Sequence, residues 1–569
     1  MKKYLLISFW GLISSMLWGQ ELSLNSAHVY LDSELGLILV NEDLASLNAA
    51  ISSVSSMLIN GQSYDLSSPQ DSLQLGQAYG LSDGPESLLL FFTELPIIRI
   101  DTTQMIMDEP RVLAELELTE TDGSSFSSWI GVEYRGGSSQ NYDKKSLRIE
   151  IWEDELGEGT DNEALLGMRS DDDWNLQAAW IEPLRMRNMV SWDLWQDLHQ
   201  LYYLEDEDEA RSYIDGAYVE LFIGDGYQGL YQLTERMDRK QLKLKKYDEE
   251  EGLRGELFKA VGHGNTQFNS LPPIPSQGNR WGGWEIDYPD PDDVPLDWSG
   301  IYDFVAFARN SSTASFQAEI DNWLEPTAAV DYFLFMNILR GYDNTGKNTF
   351  LARYDSGEPL VYIPWDLDAV FGLDWQGQFA PWYSSILSHH LYDRLLESCG
   401  EDEFAQRAAI RWDDLREDLL TTEAILSRFN YYHDYLSRNA VYTRESLKWE
   451  DYSYPGNHLA ELEVWLDNRL NWLDSYFDDL CDSRVGEPGA INFAQLYPNP
   501  VGERLHIRIA DYRGPVDYQL LDAQGRVVNS GSFNAPMEYW LSTDGFAAGW
   551  YQLHLQADRK NQQSRLIIR

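Results

Sequence analysis

Asp343, Asn348 and the pair Asp366-Leu-Asp368 place four hard-oxygen side chains within 26 residues. An almost wholly apolar run (Val330, Phe333, Leu334, Phe335, Ile338) predicts a buried helix that ends at Gly341 and delivers Asp343 on a short loop. Thr349–Tyr354 and Leu360–Pro364, joined by Asp355-Ser-Gly-Glu-Pro359, predict a β-hairpin. A hairpin returns its second strand to the level at which the first began. Asn348 and Asp366 are therefore expected at one end of it, beside Asp343. This set suits phosphoryl transfer: Asp343 orients and deprotonates a hydroxyl, while Asn348 and Asp366, with Asp368 behind, hold Mg²⁺ or Mn²⁺ on the phosphates of ATP. The plainer alternative is that Asp and Asn cap turns here, as they do elsewhere.

Phosphate also needs positive charge. Lys144-Lys145-Ser-Leu-Arg-Ile-Glu-Ile151 reads as a strand, and a period of two puts Lys145 on the apolar face with Leu147, Ile149 and Ile151. Lys145 is therefore the expected phosphate contact, and Lys144 shares the other face with Ser146, Arg148 and Glu150. Arg135-Gly-Gly-Ser138-Ser139 offers a guanidinium, backbone amides and hydroxyls to the same anion. Arg185 and Arg187, early on a predicted helix, could reach it or pair at the surface. Gly224-Asp-Gly226-Tyr-Gln-Gly229 fits a dinucleotide-binding pattern but lies between two strand-like segments, which predicts a hairpin turn. Arg236–Lys246 holds six bases in eleven residues; it reads as a solvated face or as a patch for nucleotide or an acidic acceptor. The acidic runs Glu205–Glu209 and Asp248–Glu251 read as solvated loops.

The chain of 569 residues carries a formal charge of −50. Residues 1–20 contribute +2 and residues 491–569 contribute +1, leaving −53 on 21–490. That balance excludes nucleic acid and anionic membrane surfaces as partners. Met1-Lys-Lys3 followed by the apolar Tyr4–Trp18 predicts a secretory signal over 1–20. No later stretch reaches the ~20 apolar residues of a transmembrane span. In an exported protein Cys399 and Cys481 can pair, a point the sequence leaves open, and their spacing is not that of a zinc site.

The expected order is a small β-rich region over 21–93, a mixed domain over 94–480, a linker over 481–495 and an antiparallel β-sandwich over 496–569. Leu496-Tyr-Pro-Asn-Pro500, the Asp522-x-x-Gly-Arg-Val turn, Ala548-Gly-Trp-Tyr551 and the basic terminus resemble the C-terminal sorting domain of type IX secretion cargo. The resemblance implies the type IX machinery as partner and passage through periplasm and outer membrane, to a secreted or cell-surface location. Arg135-Gly-Gly-Ser-Ser139 with Lys144-Lys-Ser146, Arg187-Asn188, Gly229-Leu-Tyr-Gln-Leu-Thr-Glu235, Asp343-x(4)-Asn348 and Pro364-Trp-Asp-Leu-Asp368 resemble the CotH (spore coat protein H) kinase family. That resemblance implies an α+β, atypical two-lobed protein-kinase-like domain using ATP and Mg²⁺ to phosphorylate a protein acceptor. It implies Asp343 as base, Asn348 and Asp366 as metal ligands, Lys145 as phosphate contact and Glu235 near the nucleotide. Tyr342 and the extra Gly346 depart from the family pattern, and the glycine is expected to loosen the base. Two other readings stand beside it. One is a non-catalytic adhesin or coat-assembly protein on the same fold. The other is a carbohydrate-active enzyme using Asp366 and Asp368, which two positions on one strand would ill suit.

Overall fold

The computed structural model describes residues 20–84, 87–250, 252–290, 294–482, 494–497, 501, 504–509, 514–522, 526–535, 538–543, 545–557 and 560–568. Residues 1–19 of the signal expected over 1–20, linker residues 483–493, Pro498-Asn-Pro500, residues 523–525 of the Asp-x-x-Gly turn and Arg569 lie outside them. The chain divides into two compact units. The first comprises residues up to Val190 with Ile214–Met237 and Ser427–Gly456; the second comprises Ser191–Tyr213, Asp238–Leu426 and the chain from Asn457 onward.

In the first unit, residues 20–92 build a seven-stranded sheet around Ile38, Val40, Val54, Met57, Leu90 and Phe92. Seven further strands close into a barrel: Ile97–Asp101, Val112–Thr119, Ser125–Tyr134, Leu147–Trp152, Asp173–Gln177, Gly216–Ile223 and Gly226–Thr234. Closure leaves no free edge, and alternation fills the interior. Leu147, Ile149 and Ile151 are buried while Arg148 and Glu150 are partly exposed. The Gly224–Gly229 segment is indeed a hairpin turn between two antiparallel strands.

The second unit carries most of the helices and a five-stranded sheet in the order Arg280–Trp281, Trp284–Tyr288, Glu256–Ala260, Thr349–Arg353, Leu360–Pro364. The apolar run forms the helix Pro326–Leu339, with proline in the first turn and Glu325 capping the amide of Ala328. Every residue from Ala328 to Leu339 is buried. The helix covers the expected span, and Arg340 rather than Gly341 is its C-cap. Arg340 takes the left-handed conformation (φ 54°) and closes the last turn, and the Gly341 amide bonds the carbonyl of Met336 at 3.0 Å. Near the C-terminus, antiparallel sheets of three and four strands share a core that includes Leu505, Ile507, Val516, Leu520, Leu553 and Leu566. Among the described residues no helix is long and apolar enough to cross a membrane.

Cys399 and Cys481 form a disulfide, with Cα atoms 5.6 Å apart and 82 positions between them in sequence. The bond fastens the end of the long helix His458–Asp482 to the loop after His390–Leu395. Closing so long a loop restricts the unfolded chain, an effect of about 2–4 kcal/mol. Cys399→Ser or Cys481→Ser is expected to lower the unfolding free energy by that amount, read by chemical unfolding with and without reductant; the wild type alone should respond to the reductant.

Candidate functional site

The hairpin forms as expected, with Thr349 opposite Pro364 and Arg353 opposite Leu360. Beyond the last pair the amide of Trp365 donates to the carbonyl of Asn348 at 3.0 Å, so Asn348 and the Trp365-Asp366 step sit side by side at one end. Asn348 and Asp366 both have φ of +54°. Non-glycine residues seldom enter this region, and they do so chiefly where surrounding contacts fix them. Asp366 is exposed, Leu367 buried and Asp368 half-buried. Both acids follow the second strand rather than lying on it, which corrects the one-strand placement. No group of three His, Cys, Asp or Glu residues among those described is arranged to hold a metal. A site completed by phosphate and water needs fewer protein ligands: Mg²⁺ is commonly held by one or two carboxylates plus substrate oxygens. The hard-oxygen set of Asn348, Asp366 and Asp368 fits that requirement.

Asp343 opens a 3₁₀ turn, Asp343–Thr345, and is partly buried. His263 Nε2 lies 3.7 Å from its Oδ1, and Lys347 Nζ lies 3.7 Å from its Oδ2. The His263 ring, and then Lys347, hold the carboxyl below its ordinary range against the opposing effect of burial. The extra glycine does not loosen this loop. A side chain on Gly346 would collide with Gln267 and come within 2.9 Å of His263 Nδ1, so glycine lets the 262–267 segment close on the Asp343 loop. Thr266 Oγ1 donates to the carbonyl of Gly346 at 2.7 Å, and Gln267 Nε2 to Thr345 Oγ1 at 3.1 Å. Asn344, also unforeseen, is buried, and its Nδ2 donates to the carbonyls of Asn348 (2.7 Å) and Trp365 (2.9 Å).

The first unit holds the residues assigned to phosphate, and their environments differ from expectation. The strand begins at Leu147, so its period of two does not reach back to the lysines. Lys144 is the buried one. Its ammonium bonds both carboxylate oxygens of Glu445, at 2.9 and 3.0 Å, and the carbonyl of Leu230 at 2.6 Å. Arg185 bonds the same carboxylate through Nε at 3.0 Å. Burial pushes the Lys144 ammonium down to about 8, with Glu445 acting against it. Gly229, at φ +92°, is required here because a Cβ would overlap Glu445 Oε1. Lys145 is half-buried and donates to the carbonyl of Tyr142. Arg187 is fully buried against Glu182 at 2.5 Å, so it is a core ion pair rather than an anion contact. Glu235 is likewise buried and accepts the amides of Arg169 (2.8 Å) and Asp215 (3.0 Å), a backbone brace. Arg135 bonds Gln177, while Ser138 is exposed at the start of a 3₁₀ turn.

Three of the six bases of the basic window are held in ion pairs. Arg236 joins Arg148 and Arg111 around Asp173. In the second unit Lys243 pairs with Glu209 at 2.6 Å and Lys245 with Glu207 at 2.7 Å. The acidic run 205–209 is an exposed loop, as expected, two of whose acids pair with the basic run.

Residues 132–473, some six-tenths of the sequence, match the family described as CotH kinase protein. The chain belongs to the CotH kinase protein family. Every candidate residue, from Arg135 to Asp368, falls inside the CotH match. Inner spore coat protein H of Bacillus subtilis (strain 168) is 22% identical over 251 residues, covering 44% of this chain and 60% of that protein. The chain therefore spans less than two thirds of this relative. Residues 495–569 match the secretion system C-terminal sorting domain, which marks the chain for the type IX machinery.

Glu445 neutralises two cations that water cannot reach, and removing one member of such a cluster costs about 3–5 kcal/mol. Glu445→Ala is expected to destabilise the chain by that amount in thermal or denaturant unfolding. Lys144→Met in the same background should recover part of the loss.

Proposed function

We propose that this CotH-family chain is an exported phosphotransferase that moves the γ-phosphate of ATP to a Ser or Thr hydroxyl of a secreted or surface protein. The observation that carries the reading is the meeting of Asp343, Asn348 and Asp366 at one hairpin end. Asp343, its carboxyl held low by His263 and Lys347, accepts the hydrogen bond of the acceptor hydroxyl and orients its oxygen at the γ-phosphorus. The O–H bond breaks as the new O–P bond forms, the bond from the γ-phosphorus to the bridging oxygen breaks, ADP leaves, and the proton passes through Asp343 to water. Asn348 and Asp366, with Asp368 behind, would hold Mg²⁺, which when bound neutralises phosphate charge. Lys347 adds positive charge beside the base, with the His263 ring at its other oxygen. The proposal takes residues 94–480 as an atypical kinase-like domain, 21–93 as an accessory sheet region and 496–569 as a sorting β-sandwich removed or retained after export. Residues 1–20 serve as its signal.

A second reading, a non-catalytic surface or coat-assembly protein on the same fold, is favoured by one observation. Lys144, Arg187 and Glu235 are all engaged in internal pairs. The Lys145 ammonium donates to the backbone carbonyl of Tyr142.

Full-length protein with labelled ATP, Mg²⁺ and a generic protein acceptor tests the two. Phosphotransfer predicts label on the acceptor, lost by about 10³-fold or more in Asp343→Ala and Asp366→Ala. A wild type that transfers no label, with all three proteins equally stable, supports the non-catalytic reading. A carboxyl depressed in the folded state favours folding above the ordinary carboxylate range and loses that contribution as pH falls through its lowered value. The acid limb of the rate profile should therefore lie below the ordinary carboxylate range, and Lys347→Ala should move it upward.

A further inference from the structure

Asn348 and Asp366 share an uncommon feature: each must be held in the left-handed region although neither is glycine. Asn and Asp tolerate that region better than most residues, yet it remains unfavourable by about 1–2 kcal/mol. Something must fix the flanking peptide planes. The plane after Asn348 carries the Asn348 carbonyl, and the plane before Asp366 carries the Trp365 carbonyl. One carboxamide bonds both: Asn344 Nδ2, at 2.7 and 2.9 Å.

We infer that Asn344 is a positioning residue whose two N–H donors lock the peptide planes of Asn348 and Asp366 and so set their oxygens for a divalent cation. The inference rests on the phosphotransferase reading of the same site. Asn344 is itself well anchored. It is buried, its own carbonyl accepts the Tyr332 hydroxyl at 2.7 Å, and Gly341 leaves space for its Oδ1. Tyr332 stacks on Tyr362 of the second hairpin strand, with ring centres 4.6 Å apart. The carboxamide is thus fixed by the helix that delivers the base while it grips the hairpin that carries the ligands. Its donors use only backbone carbonyls, so Asn344 touches neither substrate nor metal. No other side-chain type of that size offers two N–H donors from a single atom without a charge.

Partners that orient metal ligands are worth about 10–100-fold in metal affinity. The probe is Mn²⁺ with a non-hydrolysable ATP analogue, titrated into the full-length protein and followed by electron paramagnetic resonance. Asn344→Ala is expected to weaken Mn²⁺ binding by 10-fold or more. Tyr332→Phe removes the anchoring hydroxyl but keeps both carboxamide bonds, so it should cost stability and leave Mn²⁺ affinity within about 3-fold of wild type. Equal loss in both variants, or loss in neither, overturns the inference. A wild type that binds no Mn²⁺ with the analogue defeats the phosphotransferase reading. The positioning role then stands or falls on amide hydrogen exchange across residues 348–349 and 365–367, which must quicken in Asn344→Ala; unchanged exchange overturns it. If the alanine variant does not fold, Asn344→Asp carries both measurements, because it keeps the shape and lacks the two N–H donors.

Discussion

Two antiparallel strands return the chain to the level at which it started, and in this protein that constraint decides where the acids meet. Asn348 stands just before the first strand, Asp366 just beyond the second, and the Trp365–Asn348 bond closes the ladder between them. The buried helix Pro326–Leu339 brings Asp343 to the same loop, and the left-handed Arg340 turns the chain from helix into base. Remove the pairing and the three oxygen-bearing side chains are unrelated points along 24 residues of sequence.

Around that meeting point the structure is held by interlocked backbone contacts rather than by surface ion pairs. Thr266 and Gln267 clasp the loop from one side and Asn344 fastens it to the hairpin from within. Gly346 permits the first contact because a larger residue would strike His263 and Gln267. A carboxylate flanked by His263 and Lys347 at equal distances is held below its ordinary range, and on the proposed reading it orients an incoming hydroxyl as a hydrogen-bond acceptor. The barrel unit follows a different logic. There a single carboxylate, Glu445, gathers Lys144 and Arg185 in the interior, and its cost in desolvation is met by hydrogen bonds on both oxygens.

Much of this was legible in the sequence wherever the signal is local. The hairpin, the buried helix, the role of Gly224–Gly229 as a turn and the adjacency of Asn348 with Asp366 all follow from patterns a few residues long. Pairings set by distant segments were not. Glu445 lies 301 positions from Lys144 and no spacing announces it. The placement of Lys145 on the apolar face did not hold because the strand starts at Leu147, so period-two reasoning was carried past its end. His263 and Asn344 escaped notice because a lone histidine after a strand, and an asparagine beside a more conspicuous aspartate, carry no signature. The basic window looked like an external docking patch because its partners, Glu207 and Glu209, lie some 35 residues upstream. The opening charge balance keeps its meaning in a narrower form. In a strongly acidic body many of whose cations are paired internally, the proposed reading requires a divalent metal, with Lys347 beside Asp343, to hold phosphate at the hairpin end.

The most direct measurement is the position of bound metal. Crystals of the full-length protein grown with Mn²⁺ and a non-hydrolysable ATP analogue give an anomalous signal that locates the ion without reference to activity. The account predicts a peak at the hairpin end, within ligand distance of Asn348 and Asp366 and with the analogue's phosphates beside it. A nucleotide bound with its metal elsewhere, or no metal at those two residues under saturating conditions, would contradict it.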